Sequence, residues 1–274
     1  MTLIDISAVR AGWRFVLENP GPVATGAGLF ALLSALQTTL WTSGGVEFPA
    51  GKPLGLIFAA LAFVAMIMAL AAWGRRVYGR AGAGNLDLKL GGDEGRLALV
   101  VLLVLILVFT VVGTAFIALT FMIAALALIN VPDDAPQPEQ GEELLAQLLG
   151  PSEWFVAAII IAVFAFFSFW FVLRLVLAYP ATVKTQSVQV LTAWPASANG
   201  RSLTIGTSVL ATALPGALVV LVISFAQLAF LSGTSGLVTF LASSISGFAL
   251  LALVGAPVAA CLCALYESAP PPPE

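Results

Sequence analysis

"LALVVLLVLILVFTVVGTAFIALTFMIAALALI", from Leu97 to Ile129, runs for 33 residues without a charged side chain. As an α-helix rising 1.5 Å per residue it would reach about 50 Å, well beyond the roughly 30 Å hydrocarbon core of a bilayer. It is therefore either one long helix, tilted or projecting from the membrane, or two short spans joined by a turn. The choice fixes the side of the membrane on which every later segment lies.

Charge decides between them. Five further apolar runs, 21–41, 53–73, 154–179, 203–231 and 236–266, are each long enough to cross. With 97–129 counted once there are six spans and both termini are cytoplasmic. The cytoplasmic segments then hold Arg10, Arg14, Arg75, Arg76, Arg80, Lys89, Arg96, Lys184 and Arg201, and the outer segments hold only Lys52. That is the asymmetry expected of a membrane protein, whose basic residues stay inside. Counting the run twice would carry Lys184 and Arg201 outward, and "VFTVVGTAF" supplies no turn. The expected fold is an all-α integral membrane protein with six transmembrane helices, a single polytopic domain over residues 1–267. The last residues, 268–274, "SAPPPPE", form a proline-rich tail that cannot be helical.

Composition agrees. Of 274 residues, 60% are hydrophobic and only 9% charged, where a soluble domain carries about 25% charged residues; mean hydropathy is +1.06. The net charge of −3, from 11 basic and 14 acidic residues, offers no basic excess for nucleic-acid phosphates. Histidine is absent, which removes the commonest general base and metal ligand. Cys261 and Cys263 are two apart on an apolar helix and point to different sides, so they read as packing residues rather than a metal or disulfide pair. No metal, cofactor or catalytic set is expected. The run 21–41 is too long for the core of a signal peptide and lacks a convincing cleavage site, so it reads as an uncleaved first span.

Arg174 interrupts "FWFVLRLVLAYPATVKTQ". It lies twenty residues after Trp154, about 30 Å along a helix and hence at the inner interface. There its stem can snorkel to headgroups, or its charge can meet an anionic lipid or the acids Asp93 and Glu94. Those two acids also suit the first turn of the third span as cap and dipole partners. Because adjacent helical positions diverge by about 100°, they make a poor acid–base pair. Arg174 is the only charge expected inside a span, which counts against proton- or sodium-coupled transport.

"ISAVRAGWRFVLENPG" places Ile6, Val9, Trp13 and Val16 at helical spacing with Arg10 and Arg14 alongside, the pattern of an amphipathic interfacial helix before the first span. "SVQVLTAWPASANG" repeats it loosely before the fifth, with Val188, Leu191 and Trp194 leading to Asn199 and Gly200 as Trp13 leads to Asn19 and Pro20. An internal repeat of an interfacial helix followed by two spans is the reading. Arg10, Trp13, Arg14, Arg174, Trp194 and Arg201 are the candidate contacts to membrane lipids or a partner.

Small residues four apart, Ala27 with Ala31, Ser243 with Gly247 and Gly255 with Ala259, allow close helix contact. Pro215 and Pro257 bend the last two spans, as static kinks or as a gate. Gln227, Ser243 and Ser244 are candidates for a polar path, although hydroxyls and amides equally bind helices together. The segment 131–152, "VPDDAPQPEQGEELLAQLLGPS", holds five acids and no base; "EELLAQLL" suits a short helix on the outer surface, and the loop is the expected docking site for any protein partner, a second copy of the chain being the other contact.

"RLVLAYPATV", "VLTAWPASANGRSLTIG", "AVRAGWRFVLENPG" and "GGDEGRLALVVLLV" together resemble the bacterial multi-span proteins related to the membrane domain of glycerophosphodiester phosphodiesterases, and the resemblance covers most of the chain. It implies a bacterial inner-membrane location. Some members carry a fused soluble phosphodiesterase domain, whose histidines and metal-binding carboxylates this sequence lacks, so no catalytic residue carries over. The expected function is non-catalytic: membrane homeostasis, or an accessory role in an assembly, through lipid or protein contacts. A passive channel or transporter for a small or amphipathic solute is the alternative.

Overall fold

The computed structural model of the chain describes residues 3–43, 51–80, 88, 91–128, 151–191, 193–198, 201–231 and 236–269. The acidic segment up to residue 150, with its expected surface helix and docking site, and the tail from residue 270 lie outside the described residues. Among those described, regular structure is helical and no strand occurs. In chain order the elements are α1 (Ile6–Glu18), α2 (Pro20–Ser43), α3 (Gly51–Val77), α4 (Gly92–Leu128), α5 (Pro151–Leu175), α6 (Ala178–Thr185), a 3-10 turn (Pro195–Ser197) and α7 (Arg201–Leu231). The last span is α8 (Gly236–Leu250), a π-helical turn (Leu251–Gly255) and α9 (Ala256–Glu267).

Six stretches among the described residues are long and apolar enough to cross a membrane: Pro20–Trp41, Lys52–Val77, Gly92–Ala125, Trp154–Thr185, Arg201–Gln227 and Gly236–Glu267. Helix is what such sequences must form where water is absent, because it closes every backbone hydrogen bond within the segment. α4 is unbroken, with no turn at "VFTVVGTAF". Its hydroxyls are hidden in the same way: Thr110, Thr114 and Thr120 donate to the carbonyls of Ile106, Thr110 and Phe116, four residues back.

The chain clusters into two compact units, Met1–Val101 with Arg174–Glu274, and Leu102–Leu173.

The first unit has a core of small side chains around a few large ones. Phe15, Val23, Ala27, Ala69 and Trp73 pack with Leu251, Ala252, Ala256, Ala259 and Ala260. The Trp73 indole donates to the Pro22 carbonyl at 3.2 Å. Ala31 of the expected small-residue pair lies under Gly247, where a Cβ would sit 3.3 Å from the Ala31 Cα. In the last span Pro257, which lacks an N–H, is preceded by the π turn, in which the Ala256 N–H reaches the Leu251 carbonyl five residues back. Two glycines sit against carbonyls of this region. A Cβ at Gly216 would stand 2.0 Å from the Leu253 oxygen, and one at Gly12 would stand 2.5 Å from the Pro257 oxygen.

Two local expectations change. α1 buries Ala8, Gly12 and Phe15, whereas Ile6 of the expected apolar stripe is 61% exposed. The buried face is chosen by close approach to Thr212, Pro257 and Cys261, which only small residues permit. Among the described residues between α6 and α7, only Pro195–Ser197 makes a helical turn, where an interfacial helix was expected. There the chain is organised by side chains instead, with the Gln189 N–H donating to the Thr182 hydroxyl and the Ser197 hydroxyl to the Trp194 carbonyl.

The second unit comprises the later turns of α4 and most of α5. Phe116 and Phe164 stand 6.3 Å apart there, and Phe167 contacts Trp170 and Phe171 along α5. Phe109, Phe121, Phe155 and Phe166 are largely exposed.

Candidate functional site

The end of α3 organises the charged end of the first unit. Gly79 adopts φ +67°, and around it the Arg80 N–H reaches the Arg75 carbonyl and the Gly79 N–H the Arg76 carbonyl. This paired closure satisfies the last carbonyls of the helix and aims three arginines in different directions.

Arg75 turns inward. Its Nη1 donates to Glu94 Oε1 at 2.5 Å and lies 3.7 Å from Asp93, with Arg75 and Glu94 each only 3% exposed. The other Glu94 oxygen accepts from the Gly91 N–H at 3.0 Å, as a carboxylate at the third helical position does for the residue before the helix. Glu94 thus both caps α4 and neutralises Arg75. Asp93 receives Arg96 at 3.0 Å. Asp93 and Glu94 do sit in the first turn of α4; Glu94 takes Arg75 as its partner, while Asp93 takes Arg96 and lies 3.7 Å from Arg75. The apolar run 53–73 puts Arg75 in a cytoplasmic segment and leaves Arg174 as the only charge expected inside a span; the helix, Gly51–Val77, runs further than its most apolar stretch and takes Arg75 with it.

Arg174 lies over the Trp194 ring, 5.6 Å from its centroid, and its carbonyl accepts from Ser197. Two residues sequence picked from distant positions are therefore brought together. α5 stops at Leu175 and the chain restarts as the short α6, whose Tyr179 hydroxyl donates to the Leu70 carbonyl at 2.9 Å and whose Val183 packs on Gly74. Arg80 donates to the Val183 carbonyl. Lys184 lies over Tyr266 and 3.8 Å from Glu267. Arg201 donates to the Leu265 carbonyl and the Ser268 hydroxyl, placing a cation at the negative end of α9.

α1 closes this end. Asp5 caps it, accepting from the Ser7 and Ala8 N–H groups, and the Asp5 N–H donates to Ser208 of α7 at 2.9 Å. The Ser7 hydroxyl bond, foremost, holds the Asp5 carboxyl below its ordinary value. Arg10 and Arg14 are exposed, Arg14 paired with Glu18, and Trp13 is half-buried. Of the ten Lys and Arg residues described, nine gather at this end and Lys52 alone starts α3 at the other.

Two of the residues expected along a polar path, Gln227 and Ser244, are hydrogen-bonded within the protein. The Gln227 amide donates to the Ala242 carbonyl at 2.8 Å and accepts from Ser246 at 2.9 Å, binding α7 to α8. Ser244 donates to its own helix at Phe240, and Ser243 is half-buried. Beside them lies a cavity of about 450 Å³ walled by Ala31, Leu32, Ile223, Ile245, Phe248 and Leu253, with Ser244 at its edge. Its surface suits hydrocarbon rather than water or ions.

No group of three or more potential metal ligands occurs among the described residues. No protein-family model, curated protein or solved structure matches the chain.

Proposed function

We propose that this chain is a non-catalytic, multi-pass protein of a bacterial inner membrane, with both termini in the cytoplasm, that acts in membrane homeostasis or as an accessory subunit by engaging lipid headgroups at its basic end. The observation that carries the reading is the placement of Arg174 over Trp194, with Arg10, Trp13, Arg14 and Arg201 at the same end. An indole and a guanidinium together form an amphipathic anchor whose apolar body suits acyl chains and whose charge suits phosphates. Nine cations at one end of the first unit and one at the other support the orientation, since basic residues are retained on the cytoplasmic side. The resemblance of the quoted short motifs to the bacterial multi-span proteins related to the membrane domain of glycerophosphodiester phosphodiesterases is the ground for the bacterial assignment. The carboxylates Asp93 and Glu94 are engaged by arginines, which leaves them poorly suited to proton transfer, and the apolar cavity favours lipid over a polar permeant.

The test is native mass spectrometry of the protein released from vesicles of equal parts phosphatidylglycerol and phosphatidylcholine. Preferential retention of phosphatidylglycerol, reduced at least fivefold in the triple variant Arg10→Gln, Arg14→Gln, Arg174→Gln, is expected. Equal retention of the two lipids by the unaltered protein would sink the proposal.

A further inference from the structure

α1 is apolar on two opposite faces. At about 100° per residue, Ala8, Gly12 and Phe15 fall within about 60° of one another, and this is the face the protein buries. Opposite it, Ile6, Trp13 and Leu17 fall within about 40°; Ile6 is 61% and Leu17 78% exposed, and Trp13 is half-buried. A third sector is polar, with Ser7, Arg10, Arg14 and Glu18 all exposed. A helix resting on a protein surface in water needs one apolar face and one polar one. This helix carries a second apolar face, which the described residues leave open.

The level of α1 says what covers that face. The Leu3 carbonyl accepts from the Thr207 hydroxyl and the Asp5 N–H donates to Ser208, roughly 10 Å along α7 from its first residue, Arg201. Gly12 stands against the Pro257 carbonyl and Cys261, roughly 9–15 Å along α9 from its last residue, Glu267. Between Arg201 and Ser208, and between Pro257 and Glu267, neither span carries another charge. At its far end Asn19 accepts from Arg76 at 3.4 Å. α1 therefore starts on the hydrocarbon side of the charges that end α7 and α9, and rises to the level of Arg76 only where it gives way to α2. Its open face lies away from the protein at the depth of lipid. The polar sector borders that face, and the stems of Arg10 and Arg14 are long enough to carry their charges out to headgroups.

We infer that α1 is sunk into the adjoining leaflet, with Ile6, Trp13 and Leu17 among the acyl chains next to the headgroups and with Arg10 and Arg14 reaching back to phosphate level. Contacts that only small residues permit hold its other face to the protein, so α1 is a fixed part of the leaflet rather than an anchor that binds and leaves. This goes beyond the proposed function, because an apolar face needs no anionic headgroup.

The test is the accessibility of nitroxide labels on the full chain in phosphatidylcholine vesicles, with one label at a time on Ile6→Cys, Leu17→Cys or Arg14→Cys. Cys261 and Cys263 are fully buried, and the unaltered protein taken through the same labelling sets the background. Molecular oxygen concentrates in hydrocarbon and a neutral nickel chelate stays in water. The ratio of oxygen to nickel relaxation is expected to be at least threefold higher at Ile6 and Leu17 than at Arg14. Equal ratios at the three positions would put the face in water and overturn the inference, and spin–spin broadening at Ile6 and Leu17 would overturn it in favour of a second copy of the chain. Replacing half of the phosphatidylcholine by phosphatidylglycerol is expected to leave the ratios unchanged. A protein that shows these ratios but no preference for phosphatidylglycerol would sink the headgroup reading and uphold this one.

Discussion

In the last span 61% of the most apolar stretch is buried by protein, against 11% in the third and fourth spans, whose hydropathies of 3.1 and 2.7 exceed its 2.4. Hydropathy alone does not set this, because the fifth span, also at 2.4, is only 11% buried; side-chain size matters as well. The last span brings Ala252, Ala256, Ala259, Ala260 and Gly255 to its neighbours, whereas the second unit turns out Phe109, Phe116, Phe121, Phe155 and Phe166. Lipid tails are as apolar as leucine, so burial of apolar area does not itself drive helices together in a membrane. What does is close fit and polar contacts. In the first unit both are present, as glycine-to-carbonyl approaches and a buried ion pair. The second unit is stabilised chiefly by the hydrogen bonds closed within each helix.

The sharpest way to break this contrast is at the ion pair. Arg75→Leu leaves Glu94 buried without its cation, and a loss of about 3–5 kcal/mol is expected, measured by denaturant titration in mixed micelles. The double change Arg75→Leu with Glu94→Gln keeps a side-chain acceptor for Gly91 and removes both charges, so it should recover most of the loss. No recovery would mean that the guanidinium matters for something besides Glu94.

Next come the glycines. Gly216→Ala and Gly12→Ala drive a methyl group into the carbonyls of Leu253 and Pro257, and each should cost about 1–3 kcal/mol by overpacking. In the second unit Gly113 has open space where its Cβ would be. Gly113→Ala should therefore stabilise by about 0.5–1 kcal/mol through helix propensity alone. Opposite signs in melting temperature sharpen the comparison; a loss at Gly113 as large as at Gly216 would erase it.

Smaller still is Arg174→Leu, whose stacking on Trp194 is worth about 0.5–1 kcal/mol at a partly exposed site. Insertion and fold should survive, and a gross loss of folded protein would show a structural rather than a headgroup-facing arginine.

The smallest effect is of pH on the docking of α1. The Asp5 carboxyl is held below its ordinary value of 3.8, so its contribution is present above that pH and fades as pH falls through the lowered value. Trp13 fluorescence should report loosening of α1 only in that acid range, and Asp5→Asn, which keeps a capping oxygen, should flatten the response.

Much of this architecture is written in single stretches of chain. The spans are apolar runs long enough to cross, and the asymmetry of the cations counts 97–129 as one helix. Other features are relations between stretches. The Arg75–Glu94 pair joins residues 19 apart on different helices, and each alone reads as an ordinary flanking charge. The buried face of α1 is set by residues some two hundred positions later, so the apolar stripe pointed to Ile6 when the contact needed Gly12. Before α7 the amphipathic spacing of Val188, Leu191 and Trp194 was real, but side-chain bonds from Thr182 and Ser197 to the backbone compete with helix there. Arg174 and Trp194 each stand out in the sequence as candidate contacts; that one stacks on the other does not.

The π turn at Leu251–Gly255 sets the phase of everything beyond it. An α-helix advances about 100° per residue, so the widened turn adds a rotational offset that orients Ala259, Ala260 and Cys263 toward the neighbours they now meet. Deleting a single residue within it would shorten the span by a trivial length yet turn α9 by more than a quarter of a circle. Residue number in this segment therefore specifies an angle rather than a reach, and an insertion or deletion here is a change of face for the whole C-terminal helix.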